Sequence, residues 1–192
     1  MLDRLINLDT KLFLFLNGIH SSGADRFMWL VSGKYTWIPL YLLILVLLII
    51  RYRKLSLVII PVIIMLITIS DQVSSGLFKV IFERLRPCHE PGLSGLVHLV
   101  NGYCGGSFGF VSSHAANAAA LATFTSMLFK RRIYSWLIFT WAAMVSYSRI
   151  YLGVHYPGDV ICGFLLGMIL GWVIMKVMAR ILSGSNKKPF GQ

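Results

Sequence analysis

Residues 35–50 read YTWIPLYLLILVLLII and residues 55–70 read LSLVIIPVIIMLITIS, with Arg51, Arg53 and Lys54 in the gap between them. Neither stretch holds a charged side chain. As a helix, each stretch of 16 residues extends ~24 Å, slightly less than the ~30 Å hydrocarbon core of a bilayer. Terminal Lys and Arg side chains cover the shortfall by snorkelling. Charge-free stretches recur at 91–129, 133–148 and 160–175. We therefore expect an all-α, polytopic membrane helix bundle with five transmembrane helices, at about 36–51, 55–77, 110–129, 133–151 and 159–178. Asp71 falls inside the second, where a bundle interior tolerates it.

The composition agrees. The 192 residues allow one compact unit, so the chain reads as a single integral membrane domain. Hydrophobic residues make up 57% and charged residues 13%, about half the charged share of a soluble domain. With a mean hydropathy of +0.74, this excludes a disordered chain and argues against a soluble one. The net charge of +11 would suggest a polyanion partner in a soluble protein. Here the basic residues cluster at the ends of apolar runs: Arg51, Arg53 and Lys54; Lys130, Arg131 and Arg132; Lys176, Arg180, Lys187 and Lys188. That is the positive-inside pattern, so no nucleic-acid partner is expected. Placing the clusters in the cytoplasm puts segments 78–109 and 149–158 outside, and residues 1–34 begin outside too. Lys79, Arg84, Arg86 and Arg149 do not fit the pattern.

Within residues 1–34, Leu5, Leu8, Leu12, Phe15 and Ile19 recur every three or four positions among charged residues. This predicts an amphipathic helix lying at the membrane interface, with a tilted sixth span as the alternative. The segment lacks the shape of a cleaved signal peptide. Gly163, Gly167 and Gly171 form a smooth strip on the last span, and Ala115, Ala116, Ala118, Ala119 and Ala120 make the third span slim. These are packing features. Residues 183–192 read as a polar cytoplasmic tail.

Three constellations fall on one side of the membrane. The first is Lys79-x6-Arg86-Pro87, two helical turns in which both cations face one side before Pro87 stops the helix. Cations crowded at an outer end run against the positive-inside rule and point to an anionic ligand. The second is the small-residue run Gly105–His114, where hydroxyls and backbone N–H groups meet a helix N-terminus, a ready anion site. A capping Ser followed by a packed His is equally common. The third is Ser148-Arg149-x5-His155-x3-Asp159. Asp159 reads either as an N-cap or as the carboxylate that holds one ring nitrogen of His155, leaving the other free as nucleophile or base.

In this order the three motifs resemble the type 2 phosphatidic acid phosphatase superfamily, which also holds the vanadium haloperoxidases and soluble bacterial acid phosphatases. The resemblance covers about residues 71–175. The first and third motifs match without gaps. The second reads Val111-Ser112-Ser113-His114 where the family usually reads Pro-Ser-Gly-His, so altered fine geometry is expected there. The resemblance implies that Lys79, Arg86 and Arg149 clamp the phosphoryl oxygens, with hydrogen bonds from Ser112 and the Ser113 N–H. It makes His155 the nucleophile, Asp159 its partner and His114 the acid that protonates the leaving oxygen. Three fixed cations can stabilise the equatorial oxygens without a metal, and no metal or cofactor is expected.

The other titratable residues carry no motif. His20, His89 and His98 lie in outer loops, Asp71 is expected to pair with a basic side chain, and Glu83 and Arg84 read as a solvated stripe. Arg84 is within reach of a lipid phosphate. Cys88 and Cys104 bracket the outer loop, where an oxidising compartment would allow a bridge worth ~3 kcal/mol; two free thiols are the alternative.

The resemblance implies a membrane lipid phosphatase that works through a phosphohistidine at the outer face of a bacterial cytoplasmic membrane. Its substrate is a lipid phosphate or pyrophosphate. Undecaprenyl pyrophosphate comes first and lipid A phosphate second, with phosphatidylglycerophosphate and phosphatidic acid also qualifying. A lipid-to-lipid phosphotransferase and a non-catalytic lipid-phosphate binder or transporter are the alternatives. The His114, His155 and Asp159 set argues against a mere binder, which needs cations but no nucleophile. The oligomeric state is not legible.

Overall fold

A computed structural model of the chain describes residues 2–184. Lys187, Lys188 and most of the expected tail lie outside the described residues. Helices α1 (Leu2–Asn17) and α2 (Ser22–Ser32) come first, followed by α3 (Ile38–Tyr52) and α4 (Ser56–Asp71). The latter runs through a π-helical turn, Gln72–Phe78, into the short α5 (Lys79–Phe82). After an irregular outer segment come α6 (Ser113–Phe129), α7 (Arg132–Tyr151) and α8 (Pro157–Gly184). Among the described residues there is no strand, only an isolated bridge between Leu85 and Phe108.

The slim α6 is the centre of the bundle. Ala115, Ala116, Ala119, Ala120 and Ala122 are fully buried, and α8 lies along them. A Cβ built on Gly163, Gly167 or Gly171 would meet the backbone oxygens of Ser112, Ala116 and Ala120 at 2.5, 2.1 and 2.6 Å. Glycine is therefore what lets the two backbones approach. Ile44, Leu48, Ile59, Leu66 and Phe124 fill the space between α3, α4 and α6.

The outer surface is also apolar: Leu57, Ile133, Trp136, Leu137 and Ile181 are each at least 67% exposed. A band of that kind suits lipid, not water. Among the described residues one helix, Pro157–Ser183, is long and apolar enough by itself to cross a membrane.

Residues 2–32 form two helices, not one. The chain breaks after Asn17, whose buried amide donates to the carbonyls of Tyr151 (2.8 Å) and His98 (3.0 Å) and so ties α1 to α7 and to the outer segment. Phe13 and Asn17 face the bundle, while Leu5, Leu8, Leu12 and Phe15 point away from it. Ser21 starts the second helix by accepting from the Ala24 N–H at 3.3 Å.

Candidate active site

Lys79 and Arg86 do not share a helix face. The helix ends at Phe82, and Glu83 turns left-handed (φ 42°) with its N–H on the Lys79 carbonyl. Arg86 follows in extended backbone, φ −70° and ψ 154°. The reason is local: a residue before proline is driven out of the helical region. The freed segment pairs with the Gly-rich run, Arg86 N donating to Ser107 O at 3.0 Å and Gly109 N to Arg84 O at 2.8 Å. Cys88 and Cys104 are joined in a disulfide, their Cα atoms 5.9 Å apart, which brings the two ends of the outer segment together. With His89 they form a metal-ligand-like cluster, but bonded thiols cannot ligate as thiolates.

The π-helical turn before Lys79 also changes a register. Among the described residues Asp71 makes no ion pair; it accepts a hydrogen bond from Asn117 on α6 at 3.2 Å. The wider turn departs from the α-helical register that would relate residues 71 and 79, and the two side chains line one cavity without an ion pair between them.

Ser112 is the N-cap of α6 and is fully buried. Its backbone N–H donates to Asp159 O at 3.0 Å, so the starts of α6 and α8 are locked together. Its hydroxyl has no partner, and neither do Nε of Arg86 or Nε of Arg149. Buried donors of this kind mark a place where an acceptor binds. Ser113 Oγ lies 2.8 Å from Ser75 Oγ on the π-helical turn. His114, in the first turn of α6, is within electrostatic reach of Arg149, His155 and Lys79.

His155 occupies the turn between α7 and α8, buried to 1% exposure. Its two nitrogens face different environments. Nδ1 is 3.5 Å from Asp159 Oδ2, and Nε2 is 3.4 Å from Arg86 Nη1. Burial first, then the fields of Arg86, Arg149 and Lys79, hold its pKa well below the usual imidazole value, so the ring is neutral at physiological pH. The turn itself is set by its own amides: Val154 and His155 N–H both donate to Arg149 O at 3.2 Å.

These residues converge at the polar end of a cavity of about 930 Å³. Lys79, Arg86, Arg149, Ser113, His114 and His155 line that end, while Ile44, Leu48, Ile60, Ile64 and Trp141 line the rest. Asp159 stands behind His155, away from the cavity. All eight expected site residues thus gather within one neighbourhood.

Other participants were not legible in the sequence. Ser32, at the end of α2, hydrogen-bonds Arg149 through its hydroxyl, and Tyr103 lies within electrostatic reach of that guanidinium. Nothing in the sequence around Ser32 marks it. Arg84 is not part of a solvated stripe: it pairs with Asp159 and with Asp9, each at 2.7 Å. Its neighbour Glu83 is exposed, as expected. The three remaining histidines stay outside the site; His98 binds Asp25 at 2.9 Å with His20 stacked on it, and His89 donates to Gly105 O at 3.1 Å.

Comparison with known proteins accounts for this arrangement. The PAP2 superfamily model matches residues 60–182, and the chain belongs to that superfamily. It is a membrane phosphatase. A lipid A 4'-phosphatase of Bacteroides thetaiotaomicron is 42% identical over 95% of this chain and 84% of its own length. A second, of Porphyromonas gingivalis, is 39% identical over 92% of this chain and 75% of its length. The crystal structure of a transmembrane PAP2-type phosphatidylglycerolphosphate phosphatase from Bacillus subtilis shares the fold. It has a TM-score of 0.71 at 23% identity, over 93% of this chain and 88% of that one.

Proposed function

We propose that the chain is a lipid phosphatase that removes a phosphate from lipid A at the outer face of a bacterial cytoplasmic membrane. The observation that carries the lipid reading is the continuity of the cavity. One end presents three cations and a neutral, buried imidazole, and the rest is walled mainly by apolar side chains from α3, α4 and α7. A phosphate enters the first while its acyl chains occupy the second. The two relatives at 42% and 39% identity favour lipid A over other lipid phosphates.

In this reading Lys79, Arg86 and Arg149 hold the nonbridging oxygens, assisted by the Ser112 hydroxyl and the free N–H of Ser113 at the start of α6. His155 Nε2 attacks phosphorus and the P–O bond to the lipid breaks. His114 gives its proton to the departing oxygen. Asp159 stabilises the positive ring of the phosphohistidine. Water then attacks phosphorus, a proton returns to His114, and phosphate leaves with His155 neutral again. The fixed cations do the work that a metal does elsewhere.

The domain spans the membrane five times, through α3, α4, α6, α7 and α8, with the site outside. The exposed apolar face of α1 rests in the lipid interface.

The test is phosphate release in detergent with EDTA present, from lipid A carrying only the 4'-phosphate, lipid A carrying only the 1-phosphate, undecaprenyl pyrophosphate, phosphatidylglycerophosphate and phosphatidic acid. One lipid A form is expected to be turned over fastest, at a rate that EDTA leaves unchanged. Faster release from undecaprenyl pyrophosphate overturns the substrate, and no release from any lipid overturns the function.

A further inference from the structure

Asp159 has two carboxylate oxygens, and the chemistry above uses one. Oδ2 faces His155 and accepts the Tyr156 N–H at 3.1 Å. Oδ1 accepts from Arg84 Nη1 at 2.7 Å. The same guanidinium donates through Nη2 to Asp9 Oδ2, also at 2.7 Å, and lies 4.1 Å over the Tyr156 ring. Asp9 closes the circuit: its Oδ1 accepts the N–H of Gly158, the residue before Asp159, at 2.8 Å. We propose that Arg84, held in place by Asp9 on α1, is a positioning residue that keeps Asp159 ionised and aimed at His155.

The physical case rests on burial. Asp159 is fully buried, and an isolated carboxylate there would lie too high in energy to stay ionised. A guanidinium offers a rigid fork that bonds two carboxylates at once, one with each terminal nitrogen. The fork therefore sets the rotation of Asp159, so that Oδ2 is the oxygen presented to the ring. Without Arg84 the carboxylate either takes up a proton or turns to Arg86 on the far side of the ring. The first neutralises the charge that the phosphohistidine needs, and the second turns that charge away from the ring. Lysine replaces the charge but cannot bridge both carboxylates in the same plane. Through Asp9, the docking of α1 becomes part of the active-site framework.

This inference rests on His155 as nucleophile with Asp159 as its partner, and the experiment separates the two. In the full chain, kcat and KM are measured with the lipid phosphate that the wild type hydrolyses fastest. Arg84→Ala is expected to lower kcat by about 10–100-fold, the equivalent of one charged hydrogen bond, with KM within about twofold. Arg84→Lys is expected to recover a large part, and Asp9→Asn to lose about threefold to tenfold. The deciding measurement is a double-mutant cycle: in an Asp159→Ala background, Arg84→Ala should cost less than about twofold. Melting midpoints in detergent check folding, and if Arg84→Ala does not fold, Arg84→Lys and Asp9→Asn carry the cycle. A full, additive loss in the Asp159→Ala background, or a loss in KM alone, overturns the inference and makes Arg84 a substrate ligand or a purely structural residue. If Asp159→Ala itself retains full activity, the dyad assignment in the proposed function fails. If Asp159→Ala is impaired and Arg84→Ala is not, only the inference fails.

Discussion

His155 and His114 both lie within the fields of Lys79 and Arg149, yet their surroundings suit them to different tasks. His155 is almost fully enclosed, with Nδ1 toward a carboxylate and Nε2 toward the Arg86 guanidinium, and its neutral state leaves a lone pair free to attack. His114 stands on the first turn of α6 and lines the cavity, where a departing oxygen would pass. A nucleophile is needed whatever group leaves, whereas a general acid matters in proportion to the basicity of the leaving oxygen. His155→Ala should abolish turnover of every substrate. His114→Ala should lose on the order of 10²–10⁴-fold on an alkyl phosphate and recover much of that loss on nitrophenyl phosphate, whose leaving group needs no proton. Steady-state rates of both variants across these leaving groups check the assignment. Equal losses on all substrates would make His114 a binding or structural residue.

At the scale of elements, the site depends on how closely α6 and α8 approach, because Ser112 at the head of one is bonded to Asp159 at the head of the other. Gly167 sits where that approach is tightest. Even a methyl group there would overlap Ala116 O, which is backbone and cannot swing aside. Gly167→Ala should therefore force the helices apart at a cost of about 1–3 kcal/mol, with a melting midpoint lower by several degrees. Gly23, early in α2, has nothing within 4 Å of a built Cβ. Gly23→Ala should leave the midpoint unchanged or raise it, since alanine is the better helix former. Thermal melts of the two variants in one detergent make the comparison, and a neutral Gly167→Ala would show that this helix pair can relax.

For the whole molecule, orientation follows from charge. The cluster Lys130, Arg131 and Arg132 caps the turn between α6 and α7, at the opposite end of α6 from His114. Lys and Arg clusters favour the cytoplasm, so the proposed orientation has the three motifs outside. Cysteines introduced singly at Gly92 and Arg131, in a background with Cys88, Cys104 and Cys162 replaced by Ser, report the sidedness. Gly92 has open space around it and Arg131 is exposed with ordinary backbone. In spheroplasts, position 92 should react with an impermeant maleimide and position 131 only after lysis. The reverse labelling would invert the molecule.

Hydropathy and charge belong to each residue wherever the chain goes, so the sequence by itself determined the all-α membrane class and the long apolar helices. The glycine strip on α8 and the candidate site residues Lys79, Arg86, Ser112, Ser113, His114, Arg149, His155 and Asp159 were legible too, because the motif spacings are local. Adjacency in space is not a local property. Arg84 looked solvated because its partners Asp9 and Asp159 lie 75 residues away in either direction. Ser32 and Tyr103 gain meaning only when folding sets them against Arg149. The route to Arg86 was misread for a related reason: a helical register carried on from Lys79 ignores the left-handed turn at Glu83 and the pairing of Arg86 with Ser107. Only tertiary structure decided these points, since a buried charge takes the partner that packing delivers, and packing joins segments remote in the chain.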